Sequence, residues 1–478
     1  MPMHPPFSAS WGRLLSLILA SPPPFGLAAG EATAAPPNFV VIMAEAQGWS
    51  NTSVAMDDRN PASRSRIFTT PAVERLAREG MRFAYGYATS PRCTPSRAAL
   101  FTGKSPAALH MTYVGVGRTS RPTYNVLLPP EPVLELPAAE TTVAELLHGV
   151  GYRTAHFGKW HVGRVNPSRH GFDESDGPTG NGGPDNVASP NPKEARGMTE
   201  RGIAFMTQAV EAGRPFYLQL SHYPDPLGRA GRNRPGSESA RPEAALIDRT
   251  VSQVLAAIDR LELAGRTYVI YTADHGAPGR IGNAPLAGGK GSVREGGLRV
   301  PFLIRGPGIA PGVCSRVPVT ACDVLPTVAE LANLKSPLPS GVEGGSLVPV
   351  LRDTDGRGRV ARLREELVFH FPHYDLGNGG PASAILLGGY KLIRNYETGA
   401  RRLYDLEKDP AEATDLAPAQ PGKADALDAR LTAYLKAVSA QMAAPNPNHD
   451  PARAERADQN DQRGRPGRRK GRKRGNLE

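Results

Sequence analysis

"TYVIYTADHG", residues 267 to 276, is a run of β-branched and aromatic residues that stops at an aspartate, a histidine and a glycine. Seven residues without a charge predict a buried strand, and the ionisable pair falls just past its carboxyl end. The same arrangement recurs along the chain. "NFVVIMA" (38 to 44) is followed by "EAQGW", "YRTAHFG" (152 to 158) by "KWH", and "PFYLQLS" (215 to 221) ends in "SHYPD". A fifth apolar run, "VPFLIRG", covers 300 to 306. Open α/β sheets place their sites at the carboxyl ends of strands, so these four polar turns are candidates for one site.

Between the strand-like runs lie stretches with helical spacing. "TPAVERLAREG" (70 to 80) offers Thr70 as a cap, Pro71 at the first helical position and Gly80 as a stop. "TTVAELLHGVG" (141 to 151) and "EAALIDRTVSQVLAAIDRLELAG" (243 to 265) also end in glycine. Such alternation predicts an α/β protein with a large mixed, mostly parallel sheet between helices, over about residues 38–344. From 345 the pattern changes. "ELVFHFP", "SAILLGGYKLIRN" and "RRLYDLEKDP" predict a smaller antiparallel sheet, and "KADALDARLTAYLKAVSAQM" (423 to 442) a helix, giving a C-terminal α+β subdomain over 345–445.

The two ends read differently from the body. Arg13, the apolar run "LLSLILA" (14 to 20) and "ATA" (32 to 34) suggest an export signal over 1–34, hence a periplasmic or extracellular protein. The run is too short to span a bilayer, and no transmembrane segment is expected. The formal net charge of +11 comes mostly from "RGRPGRRKGRKR" (463 to 474); without those eight basic residues the rest carries +3. Residues 446–478 are expected to be a disordered basic tail on a nearly neutral body, and nucleic acid is not an expected partner. Three cysteines, Cys93, Cys314 and Cys322, exclude a disulfide scaffold; Cys314 and Cys322 are expected to be small thiols rather than a bridge.

Cys93 opens "CTPSRAALFTG" (93 to 103), in which Thr94, Pro95 and Ser96 suit a helical first turn and Gly103 its end. At a helix N-terminus, beside the fixed charge of Arg97, a thiol is expected to ionise readily. The stretch resembles the sulfatase signature C-x-P-S-R-x-x-x-L/F-T-G of the alkaline phosphatase superfamily. "GYRTAHFGKWHVG" (151 to 163), "YTADHG" (271 to 276), "GGKGSVREGGLRVPFLIRGPGI" (288 to 309) and "LYDLEKDPAEATDLA" (403 to 417) resemble that family in its own order.

The resemblance implies an alkaline phosphatase-like fold and hydrolysis of sulfate esters. It implies that Cys93 is oxidised to formylglycine, whose hydrated aldehyde is the nucleophile, by a formylglycine-generating maturation enzyme. It further implies that Glu45, Cys93, Asp274 and His275 hold Ca2+, and that Arg97, Lys159, His161 and Lys290 hold the nucleophile or the sulfate oxygens. His222 matches a substrate-binding histidine, and His370 and His373 of "FHFPHY" are expected to line the substrate mouth.

Two positions depart from the family. Where sulfatases read "ADDQG", this chain reads "AEAQG", so Glu45 has gained a methylene and Ala46 offers no carboxylate. Where relatives read "SHYAVHTP", this chain has "SHYPDPLG", and the histidine proposed to protonate the leaving group is absent; Asp225 stands nearby. Asp57 and Asp58 are expected to form a solvated turn rather than replace a ligand. Three readings remain open: an exported sulfatase with an altered metal site acting on a sulfated carbohydrate or aryl ester, a phosphodiesterase or phosphonate hydrolase, and an impaired relative that binds sulfated glycans.

Overall fold

Asn38–Ala44 (β1) lies at the centre of the main sheet with all seven residues buried. Phe39, Val41 and Met43 pack into one core, and Val40, Ile42 and Ala44 into another. A strand covered on both faces has no polar side, so its sequence shows an apolar run instead of alternation. This holds in the computed structural model, which describes residues 35–115, 125–181, 193–224, 241–279, 281–375 and 379–452. The expected signal segment, the basic run at 463–474 and Asp225 lie outside these residues.

Seven further strands join β1: Met81–Phe83 (β2), Arg153–Gly158 (β3), Glu174–Ser175 (β4), Phe216–Ser221 (β5), Thr267–Ala273 (β6), Phe302–Arg305 (β7) and Cys314–Ser315 (β8). Their order is β8-β2-β7-β6-β1-β5-β3-β4. β6, β1, β5 and β3 are mutually parallel, whereas β7, the expected "VPFLIRG" strand, runs antiparallel to both β6 and β2.

Helices cover both faces. Pro71–Glu79 (α1), Lys193–Glu211 (α3) and Arg241–Arg260 (α4) carry the apolar residues of one core. Cys93–Thr102 (α2) and Val324–Leu331 (α5) carry those of the other. In α1 the buried residues are Ala72, Val73, Leu76 and Ala77, the stripe that a 3.6-residue period brings to one side. Its free N–H groups are not capped by Thr70, as the sequence suggested. The Thr70 hydroxyl accepts from Ser53 N, and the carboxylate of Asp248 on α4 accepts from Ala72 N and Val73 N at 3.0 and 2.9 Å. α2 is buried on every side and ends at Gly103, whose φ of +69° suits glycine.

Leu367–Phe371 (β9), Ala382–Leu387 (β10), Tyr390–Asn395 (β11) and Arg401–Asp405 (β12) form the antiparallel second sheet. One face packs on Tyr87, Tyr113 and Leu298 of the main body, the other on Leu427, Leu431 and Leu435 of Pro421–Ala437 (α6). At the seam, fully buried Lys391 lies 2.8 Å from Glu295 and 3.0 Å from Glu412. Leu347, Val350, Leu351 and Val360 belong to a core of the main sheet, and the first strand of the second sheet begins at Leu367. Asn446, expected in the tail, is buried and bonded to Asn125 and Val126 carbonyls. Cys314 and Cys322 are unpaired thiols. Among the described residues no helix is long and apolar enough to cross a membrane.

Candidate active site

Because β1, β3, β5 and β6 run parallel, the residues after them emerge at one edge of the sheet: Glu45, Lys159, His222, and the pair Asp274 and His275. α2 brings Cys93 to the same place as its first residue. β3 can turn there only because residue 158 is glycine. Its φ is +94°, and a Cβ would stand 2.0 Å from the Ser221 carbonyl, so a side chain would drive β3 off β5 and displace Lys159.

The Cys93 thiol is buried, 3.1 Å from His275 Nε2, 3.4 Å from Glu45 Oε1 and 3.7 Å from Lys290 Nζ. One turn along α2, Arg97 has no exposed surface. Its guanidinium donates to the Lys159 carbonyl at 2.6 Å, to Asp274 Oδ2 at 3.0 Å and to Glu45 Oε2 at 3.1 Å. With a longer bond to the His222 carbonyl at 3.4 Å, Arg97 ties together the residues after all four parallel strands. Lys159 is equally enclosed and donates to Glu45 Oε2 at 2.8 Å. Lys290 is the open cation of the group, with 23% of its side chain exposed.

These charges set the acidities. Burial and Glu45 push the Cys93 thiol up, but Lys159, His275 and Lys290 outweigh them and hold it well below the ordinary thiol range. Burial likewise raises Glu45, and Lys159, Lys290, His275 and Arg97 reverse the shift and keep it ionised. Asp274 goes the other way: burial and its neighbour Glu45 raise it to about 6. Burial depresses His161, the Cys93 thiol beside it partly offsets this, and its buried Nδ1 has no partner among the described residues.

The expected substrate histidines are placed differently. His222 sits at its strand end, but its ring faces inward, with Nδ1 3.3 Å from the Met43 carbonyl and Nε2 3.1 Å from Thr250 Oγ1. His370 is buried between Ser383 Oγ and the Gln441 carbonyl, and His373 against Thr112 Oγ1. His370 on the strand thus bonds Ser383 of the second sheet, whereas His373, beyond the strand's end, bonds Thr112 of the main body. Asp57 and Asp58 pair with Arg316, away from the cluster. The sequence reading missed Asn283. It is buried, and its side chain bonds Ala277 N and the Ala277 and Gly279 carbonyls, pinning the loop that ends at Lys290. An asparagine in a glycine-rich stretch gives little sign of such a role.

One ligand atom each from Glu45, Cys93, Asp274 and His275 lies within 4.8 Å of the others, all buried. Two carboxylates and an imidazole suit a divalent cation in kind. They are few in number, since Ala46 contributes only its N–H, which donates to Asp274 Oδ1 at 2.9 Å.

A mixed sheet that gathers an acidified side chain, lysines and carboxylates at one strand edge, backed by a small antiparallel sheet, is the alkaline phosphatase-like hydrolase fold. Within it, the chain belongs to the sulfatase family, the hydrolases of sulfuric esters. The Sulfatase family model matches residues 37–224 and 243–334, and the model for the N-sulphoglucosamine sulphohydrolase C-terminal region matches 289–441. Mouse steryl-sulfatase is 30% identical, with 90% of this chain and 85% of that protein covered. Human arylsulfatase A is 33% identical over 85% and 87%. Among solved structures, Ps i-CgsB in complex with k-i-k-neocarrahexaose aligns at TM-score 0.69 and 22% identity, covering 84% of this chain and 93% of that one. A protein in complex with its substrate D-glucosamine-2-N,6-O-disulfate aligns at 0.62 and 18%, covering 84% and 98%. At these identities the two structures establish the shared fold.

Proposed function

We propose that this chain is an exported sulfatase that hydrolyses sulfate esters of a sulfated carbohydrate or an aryl alcohol. The reaction centre is Cys93 after oxidation to formylglycine, beside a divalent-cation site short of one carboxylate. The observation that carries this reading is the setting of Cys93: the first residue of a buried helix, with Lys290, His275 and Glu45 within 3.7 Å of its sulfur. Mouse steryl-sulfatase and human arylsulfatase A support a sulfate ester as substrate, and the two saccharide complexes favour a carbohydrate.

Cys93 Sγ stands in for the side-chain oxygens of the modified residue, which would supply the nucleophile. The substrate is a monoanion, and partly exposed Lys290 is the first fixed charge it meets. Lys159 and Arg97 keep Glu45 ionised and in place from the inside. Glu45, Asp274 and His275 would hold the cation, calcium by family resemblance, which would polarise the sulfate when bound. In the net reaction water replaces the alcohol on sulfur, and the alcohol leaves with a proton. His222 is a poor donor for that proton, because its ring is turned inward and burial lowers its pKa to about 4. Lys290 is the nearest partly open alternative.

The test is coexpression with a formylglycine-generating enzyme, peptide mass at residue 93, and turnover of aryl and sugar sulfates. Conversion with turnover that Cys93→Ala abolishes supports the reading. Full conversion without turnover of any sulfate ester overturns it in favour of glycan binding, and preferential turnover of phosphodiesters favours a phosphohydrolase.

A further inference from the structure

Arg92, immediately before Cys93, makes a two-pronged ion pair with Asp375, which lies 283 residues away on the loop that leaves β9. The carboxylate is 2% exposed and the guanidinium 18%. Tyr113 completes the cluster: its ring lies 5.7 Å from the guanidinium carbon, and its hydroxyl donates to Asp375 Oδ2 at 3.4 Å. A planar fork on a carboxylate in so enclosed a setting fixes orientation as well as distance.

The same carboxylate touches the second catalytic element. Gly291 follows Lys290, and a Cβ built on it would stand 2.6 Å from Asp375 Cγ. Gly291 N donates to the Pro91 carbonyl at 3.0 Å, and Lys290 N to the Ala277 carbonyl at 3.0 Å. The segment 91–93 and the segment 290–291 therefore lie side by side with Asp375 against both. No other carboxylate among the described residues is hydrogen-bonded to Arg92.

We propose that the Arg92–Asp375 pair is a positioning device by which the second sheet sets the separation of Lys290 from the reacting side chain at 93. This rests on the reading that residue 93 carries the reaction. Neither residue touches the reacting atoms. Arg92 orients the start of α2, and Asp375 seats the backbone on which Lys290 stands. The pair makes the C-terminal unit part of the catalytic geometry, whereas a merely structural tie would hold the two units together without affecting turnover per folded molecule.

The experiment uses the full chain with Asp375→Asn, Arg92→Lys and the double variant. Each rate is divided by the fraction of residue 93 converted, because Arg92 adjoins the modified position. A displacement of about 1 Å in a catalytic group costs up to about 10²-fold in rate. The expected result is a kcat at least about tenfold lower in each single variant with KM little changed, and a double variant no worse than the poorer single one. Unaltered kcat, or effects that multiply, would overturn the proposal. Crystal structures of the unconverted wild type and Asp375→Asn provide a readout that needs no turnover. Lys290 Nζ withdrawn from the 3.7 Å approach to Cys93 supports the device, and an unchanged approach overturns it. If converted wild type hydrolyses no sulfate ester, the proposed function falls while this structural comparison still decides the pair.

Discussion

Lys159 Nζ lies 2.8 Å from Glu45 Oε2, with both side chains shut off from solvent. Arg97 binds the same oxygen at 3.1 Å. That oxygen is committed to the protein, so only Oε1 of Glu45 faces the cluster of possible metal ligands. With Ala46 supplying no carboxylate, the expected result is weak divalent-cation binding.

Restoring the family pair with Glu45→Asp and Ala46→Asp should tighten calcium at least about tenfold, since each hard oxygen ligand adds to affinity. Isothermal calorimetry on the apo proteins measures this directly. An unchanged affinity would show that these positions do not form the site.

The inward-facing ring of His222 removes that histidine as a proton donor to the leaving group. General acid catalysis contributes about 10²–10⁴-fold, and chiefly for poor leaving groups. A plot of log kcat/KM against alcohol pKa should therefore fall steeply, with nitrophenyl sulfates far ahead of sugar sulfates. Lys290→Ala should slow sugar sulfates more than aryl ones. A flat plot would mean that another group donates the proton.

Burial lowers His222 and His370 to about 4, and His156 and His373 to about 3, from an ordinary value near 6.5. Between those values the unfolded chain binds protons that the folded one refuses. The stability from these groups is present above about pH 6.5 and is lost as pH falls through about 4 to about 3. Urea midpoints at stepped pH should decline over that window, and His373→Asn should flatten the decline.

Lys391 is the lysine that Glu295 and Glu412 share at the seam, and none of the three side chains is exposed. Lys391→Met would leave buried Glu412 without its cation, while Glu295 keeps Arg299 at 3.0 Å, at a cost of about 3–5 kcal/mol. Denaturant unfolding should show that loss. A change below about 1 kcal/mol would mean that water reaches the seam.

Most of the main sheet was legible because its signals are local. The uncharged runs at 38–44 and 267–273, each ending in an acid, announced strands buried on both faces with a site beyond them. Cys93 was legible as a helix start from its neighbours alone. The antiparallel course of β7 was not, since strand direction depends on the path of the connecting chain. The cap of α1 was misassigned for a similar reason: Thr70 is the local candidate, but Asp248 reaches the same N–H groups from another helix.

The sequence by itself determined the order of strands and helices, the residues that gather at the strand ends, and the missing carboxylate at Ala46. The first two follow from periodicity and turn residues within short windows, and the third from the family resemblance. Only the tertiary structure decided which partner each polar atom takes. It bonded buried Arg97 to Asp274, turned His370 and His373 toward Ser383, Gln441 and Thr112, and brought Asp375 to Arg92. Such pairings join residues tens to hundreds of positions apart. Their geometry is set by how two cores and two sheets pack together, and no local stretch of sequence contains that information.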